Sequence, residues 1–219
     1  MVKISGFSRM KIGTKILIIC MVLISVPTLL LGLVAYTSSS TAISGQVDTL
    51  LSTEISDIQK MTSNTYDLAQ QKVNGDLNVL RSTFYGYGTP EISGGKLVLR
   101  GQGSREFVVN DNFEIVDQIE RMTGSKATIF QKTGGQAIRI STNVVGADGK
   151  RAIGTPVSDA VYDAVIVKGQ TYYGTADVVG KTYITAYEPI KSSSGEIIGI
   201  LFVGVPEDSV YGGLKKEIL

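Results

Sequence analysis

The chain has 219 residues, long enough for one well-filled core plus accessory helices. With 21 basic against 20 acidic residues its net charge is +1, which leaves no electrostatic footprint for nucleic acid. Histidine is absent, which removes the commonest general base, the usual metal ligand and the phospho-accepting residue of a two-component kinase; the sole cysteine, Cys20, excludes an internal disulfide.

Residues 16–36 carry no charge, and as a helix they would extend ~31 Å, the thickness of a bilayer's hydrocarbon core. Lys3, Arg9, Lys11 and Lys15 precede this run without an acidic residue, so residues 1–15 are expected to stay in the cytoplasm and everything after Tyr36 to lie outside. Pro27 and Gly32 are both tolerated in membrane helices. A cleaved signal peptide is the rival reading. The apolar run exceeds the usual length for one, and no small-x-small site ends it early, although residues 35–40 leave that option open. The expectation is an uncleaved, single-pass anchor.

Residues 37–85 contain no proline, and glycine only at 45 and 75. Val47, Leu51, Ile55, Ile58, Met61, Thr65 and Leu68 recur at steps of three or four, and Val73, Leu77, Leu80 and Phe84 resume the stripe. This predicts one helix of ~70 Å. So long a stripe exceeds what one small domain can cover. Its membrane-proximal half is expected to pair with a second copy, giving a homodimer, and its distal half to dock on the chain's own sheet. Asn74-Gly75 is the expected weak point.

Residues 86–103 are glycine-rich and should end the helix, with 96–100 (KLVLR) as a short strand. Gly86-Tyr-Gly88 and Gly101-Gln-Gly103 lack the strand–loop–helix setting of a phosphate loop and read as turns. Residues 110–122 put Phe113, Val116 and Ile119 on one helical face, with Asp111 or Asn112 as cap and Gly124 as terminator. A core strand follows at 127–131, a turn at Gly134-Gly135, a strand at 137–144, and a second helix over 158–168 between Ser158 and Gly169.

The last third reads as strand, turn and strand. Tyr183, Thr185 and Tyr187 alternate with Ile184, Ala186 and Glu188, which places the three hydroxyls on one side. Pro189 is expected to end that ladder, and 192–195 (SSSG) to turn the chain. Residues 197–205 are apolar except for glycine, as in a strand covered on both faces.

The run VYDAVIVKGQTYYGTADVVGKTYITAYEPIKSSSGEIIGILFVGV resembles the closing half of a single Cache domain of the Cache_3-Cache_2 type, found in the extracytoplasmic sensors of methyl-accepting chemotaxis proteins and sensor histidine kinases. The likeness covers residues 110–205 by motif, including segments similar to the family's LVDEI helix, TIF strand and RxSTN strand, and reaches the anchor by layout. It implies an α+β fold in which a transmembrane helix continues into a long helix and then a PAS-like Cache domain with a central antiparallel sheet of about five strands. The implied layout is a cytoplasmic start (1–15), membrane helix (16–36), dimer stalk (37–85), ligand-binding domain (86–206) and C-terminal helix (207–219). The implied function is small-molecule sensing by a transmembrane chemoreceptor.

Candidate ligand residues combine this likeness with strand geometry. Arg139 and Ser141 should share a face of their strand, with Thr142 joining only if the strand bends; an arginine there offers a bidentate fork for a carboxylate. Related citrate and dicarboxylate sensors use a similar Arg-x-Ser-His motif, and Thr142 stands where those have histidine. They also place basic residues on the strand matching Thr185 and Tyr187. A single fixed positive charge then favours a small monocarboxylate or a mostly neutral solute. Tyr172 and Tyr173 are expected on a turn covering the pocket, Tyr173 ahead of Tyr172, and Phe130 at its floor. A surface arginine with an acidic neighbour and plain strand packing are the structural alternatives.

No pair of carboxylates is placed across a cleft, and neither metal-ligand spacing nor a nucleophile with a base occurs, so catalysis, metals and cofactors are not expected. Residues 207–219 are too short and too charged to span a bilayer. The chain is expected to be either a fragment ending before a second membrane helix or a free-standing anchored Cache protein. A membrane-anchored structural or filament-forming surface protein with a Cache-like head is the rival from another class. Type IV pilin-like subunits share that outline, but no processing site with a glutamate just inside the apolar segment is present.

Overall fold

The computed structural model describes residues 10–218, with side chains described except at 104 and 213–218. Lys3 and Arg9, two of the basic residues that orient the expected anchor, lie outside the described residues. The chain divides into two compact units, Met1–Lys60 and Met61–Leu219. Helix α1 is continuous over Ile12–Gly86, so the expected weakness at Asn74-Gly75 does not break it. The flanking turns hold hydrogen-bonded helix on both sides, and nothing lies within 4 Å of the missing Gly75 side chain.

In the first unit α1 is long and apolar enough to cross a membrane, with a mean hydropathy of 2.8 over its most apolar window, none of it buried. Val47, Leu51, Ile55 and Ile58 are likewise exposed.

The second unit carries two antiparallel sheets. The smaller one, in order β1-β2-β3, joins Thr89–Ser93, Lys96–Arg100 and Glu106–Val108. Only its middle strand was legible in the sequence. The larger has five strands: β4 (Lys126–Thr133), β5 (Gln136–Thr142), β6 (Tyr172–Asp177), β7 (Thr182–Lys191) and β8 (Ile197–Pro206), in order β5-β4-β8-β7-β6. Helix α2 (Glu114–Thr123) follows the small sheet and ends at Gly124 in the left-handed conformation, φ 75°, as its residue type requires. Helix α3 (Asp159–Tyr162) runs into a π-helical turn over Asp163–Val167. Helix α4 covers Glu207–Ile218.

The five-stranded sheet divides the core in two. On one face Ala127, Ile129, Ile184, Leu201 and Val203 meet Val73, Leu77, Leu80 and Phe84 of α1 and Ile115, Val116 and Ile119 of α2. On the other, Phe130, Tyr183, Tyr187, Ile200 and Phe202 meet Val157, Val161, Val165 and Ile166 around α3. The buried part of the α1 stripe begins at Ala69, with half-buried Tyr66 packed before it, whereas Leu68 stays 66% exposed. Each fully buried large aliphatic side chain removes enough apolar surface to contribute about 1.5–3 kcal/mol.

Pro189 does not end β7, contrary to the sequence expectation. It stays in register opposite Ile200, and the strand continues to Lys191. The reason is that β6 stops pairing at Tyr172–Tyr187, so beyond Tyr187 one edge of β7 has no ladder that would need the missing N–H.

Two glycines give a matched test of this packing. A side chain at Gly199 would put its Cβ 2.3 Å from the Phe130 carbonyl oxygen, whereas Gly75 faces open space. Gly199→Ala should therefore destabilise the protein by more than about 3 kcal/mol in denaturant unfolding, while Gly75→Ala should stabilise it by about 0.5–1 kcal/mol. Equal effects would contradict the close approach of β8 to β4.

Candidate functional site

The geometry around Arg139 follows from one irregularity. Phe130 pairs with Arg139, but Ile129 pairs with Ser141, so Ile140 is an extra residue in β5, a β-bulge. The bulge reverses the alternation that would have kept Arg139 and Ser141 together. Ser141 turns to the α1–α2 face, where its hydroxyl donates to the Asn112 carbonyl at 2.6 Å. Thr142, opposite Thr128, returns to the Arg139 face, but its hydroxyl is shared with Thr128 Oγ1 at 2.6 Å and accepts from the Val144 N–H.

The outer edge of β5 is covered by residues 154–157. Arg139 N–H donates to the Thr155 carbonyl, Gly154 N–H to the Arg139 carbonyl and Val157 N–H to the Ala137 carbonyl. This brings Thr155 beside the arginine. Arg139 is only 5% exposed, yet no described carboxylate pairs with it. Its Nη1 donates to Thr155 Oγ1 at 2.7 Å and more distantly to the Ala152 carbonyl at 3.5 Å, and its Nε is buried without a partner. The guanidinium lies 5.1 Å from the centre of the buried Phe130 ring, which is not among the residues that line the hollow at Arg139. Burial lowers the Arg139 pKa, and the nearby Tyr187 and Tyr183 hydroxyls oppose that shift.

Arg139 lines a hollow of about 350 Å³ with Thr155, Pro156, Val157, Ser158, Asp177, Val179 and Tyr187. Tyr183, Thr185 and Tyr187 do share a face, but only Tyr187 reaches this hollow. Its ring packs on Phe202, Tyr172 and Phe130, and burial raises its hydroxyl pKa well above the ordinary value. Thr185 is fully buried and donates to the Gly174 carbonyl at 2.8 Å. Tyr172 and Tyr173 belong to β6 and not to a covering turn, and their expected order is reversed. Tyr172 packs against Tyr187, whereas Tyr173 points to the opposite face, its hydroxyl 3.3 Å from Asn74 Oδ1 on α1.

Thr155, Ser158, Asp177 and Val179 were not singled out in the sequence. A usable signal existed at Val179. The turn between β6 and β7 has Val179 at φ 56° and Gly180 at φ 78°, closed by reciprocal bonds between Val178 and Lys181. Two positive φ values mark a type I′ hairpin turn, where asparagine is at ease and a β-branched residue is strained.

A second hollow, about 480 Å³, lies among Tyr85, Tyr87, Gly88, Arg100, Lys191 and Ser192. Its arginine is already matched, because Arg100 binds Glu91 and Glu106. A third, about 440 Å³, is an open groove on Asp67, Gln70, Gln71, Asn74 and Tyr173. Size therefore does not select the site; the unmatched buried charge does. Among the described residues there is no cluster of three or more side chains suited to a metal.

Three of the side-chain contacts that tie α1 to the sheet lie on the face opposite Arg139. Arg81 grips Glu188 of β7 with both arms, and Gln70 Nε2 donates to the Thr185 carbonyl at 3.4 Å. The Tyr173–Asn74 bond is the third.

The model of the Cache 3/Cache 2 fusion domain matches residues 36–219. The chain belongs to that family. Among solved structures, the crystal structure of the E. coli DcuS sensor domain shares 18% identity over 66% of this chain and 98% of that one, at a TM-score of 0.41. The ligand-binding domain of the Campylobacter jejuni chemoreceptor Tlp3, solved in complex with L-valine, shares 14% identity over 72% of this chain and 64% of that one, at a TM-score of 0.38. No curated protein matches the chain.

Two predictions follow from the strained turn and the buried tyrosines. Val179→Asn should raise stability by about 1 kcal/mol in denaturant unfolding, through relief of the left-handed strain; unchanged stability would show that the turn carries none. Burial raises the hydroxyl pKa values of Tyr183 and Tyr187 above the unfolded value of about 10. The folded protein holds these protons more tightly, so their contribution is complete below pH ~10 and is lost as pH rises through the folded values. Tyr187→Phe should flatten the fall in Tm above pH ~10.

Proposed function

We propose that this chain is the sensory part of a membrane-anchored chemoreceptor, and that its Cache domain binds a small carboxylate in the hollow at Arg139. One observation carries the reading: a buried guanidinium beside an open hollow with no protein counter-ion. Leaving a buried charge unmatched is costly, and an entering carboxylate supplies both the missing charge and acceptors for the unused arm of the fork. Tyr187, with no hydrogen-bond partner among the described residues, adds a donor on the same wall. Thr155 holds Nη1 and so orients the fork. Ser141, Thr142, Tyr173 and Thr185 have their hydroxyls engaged elsewhere and act as supports. Tyr183 does not reach the hollow, but its hydroxyl lies within electrostatic reach of Arg139.

In this reading the N-terminus is cytoplasmic, the Cache domain is extracytoplasmic, and the exposed apolar stripe of the first unit pairs with a second copy to form a homodimer. The ligand draws the segment 154–158 and the β6–β7 turn together over Arg139. Arg81–Glu188, Gln70–Thr185 and Asn74–Tyr173 pass the resulting shift of β6 and β7 to α1. A ligand changes the state only through its differential affinity for the two arrangements. No catalytic step is assigned.

The test is a thermal-shift screen of the full chain in detergent with acetate, propionate, pyruvate, lactate and butyrate. At about 100 times its dissociation constant, a true ligand should stabilise the protein by about 2.7 kcal/mol. Arg139→Ala should abolish the shift. Stabilisation that survives Arg139→Ala, or none with any carboxylate, would refute the assignment.

A further inference from the structure

The hollow at Arg139 has a second charged wall that the carboxylate reading does not use. Asp177, the last residue of β6, also lines it. Its Oδ1 accepts the Gly180 N–H at 3.0 Å, which fixes the carboxylate at the rim, and no described cation pairs with it. Arg139 and Asp177 are not paired with each other either. The hollow is thus lined by one positive and one negative group that are not ion-paired, the arginine buried and the aspartate exposed at the surface. Asp177 raises the pKa of the Tyr187 hydroxyl and Arg139 lowers it, so both charges act on one point.

We infer that the ligand is a zwitterion, a small amino acid whose carboxylate meets Arg139 and whose ammonium meets Asp177. This rests on the carboxylate reading and narrows it. A dicarboxylate would bring its second negative charge against Asp177, which like-charge repulsion disfavours, whereas an ammonium there forms a charge-assisted hydrogen bond. A neutral solute would leave the buried guanidinium unmatched. The remaining walls are Pro156, Val157 and Val179, which suit a short apolar side chain, and about 350 Å³ lies at the small end of ligand pockets. The strained Val179 belongs to the same turn as Asp177, so the conformation that places the acid at the rim is held against a local cost.

The experiment is titration calorimetry on the full chain in detergent, with four probes of matched size: 2-aminobutyrate, 4-aminobutyrate, butyrate and propylamine. One of the two amino acids should bind at least tenfold more tightly than butyrate, and propylamine should bind least. Asp177→Asn keeps the acceptor for Gly180 but removes the charge; it should bring the amino acid down to the affinity of butyrate and leave butyrate unchanged. Arg139→Ala should abolish binding of all four. If butyrate binds as tightly as both amino acids, and Asp177→Asn changes nothing while Arg139→Ala still abolishes binding, the zwitterion is refuted and the carboxylate site stands. If Arg139→Ala leaves binding intact, both fall.

Discussion

Because β8 is buried on both faces, the five-stranded sheet acts as a partition between two apolar compartments, and every other feature of the second unit is arranged around that fact. Leu201, Val203 and Val205 face the helices α1 and α2, and Ile200 and Phe202 face the α3 side. Glycines at 199 and 204 let neighbouring groups close onto the strand; a side chain at Gly204 would come within 2.9 Å of the Phe202 ring. At the edge of β5 the short segment 154–157 covers the backbone but leaves Arg139 at a hollow.

The same partition couples the two faces of the sheet. Residues on β6 and β7 alternate between compartments, so a displacement of either strand reaches both. Thr185 is the clearest case. Its hydroxyl binds Gly174 within the sheet, while its carbonyl accepts from Gln70 of α1. Arg81 and Glu188 add the only bidentate charge pair among the described residues that joins α1 to the sheet, partly shielded from solvent and so worth more than an exposed one. Glu188 increases the affinity of Arg81 for its proton, as expected of a matched pair, whereas the buried, unmatched Arg139 shifts the other way. The contrast between these two arginines distinguishes a structural tie from a candidate binding group.

How much of this was legible in the chain depends on the kind of signal. The apolar run of α1, the α2 face of Val116 and Ile119, the Gly124 stop and the turn at 192–195 are local, and a local pattern can be read directly. The fold class followed from the resemblance of the closing strands. The site was only half legible. Arg139 and Tyr187 were named and do meet; Ser141 and Tyr173 were named and lie across the sheet. The mistake at Ser141 came from strict alternation, which a single extra residue at Ile140 reverses. The mistake at Tyr173 came from treating as a turn what is a paired strand. Asp177 and Thr155 were missed because each belongs to a different segment of the chain, and nothing local marks them as neighbours of Arg139.

The sequence alone settled the apolar helix, the main strands of the closing half and the family, because these depend on periodicity, turn chemistry and motif, which are properties of contiguous residues. Only the tertiary structure decided which face each side chain occupies and which charges find partners. Those outcomes depend on the register between strands far apart in the chain and on whether a cover closes over them. Arg139 became a candidate binding group, and not one more ion-paired arginine, because the fold brought it a tyrosine, a threonine and a distant aspartate but no counter-ion within reach.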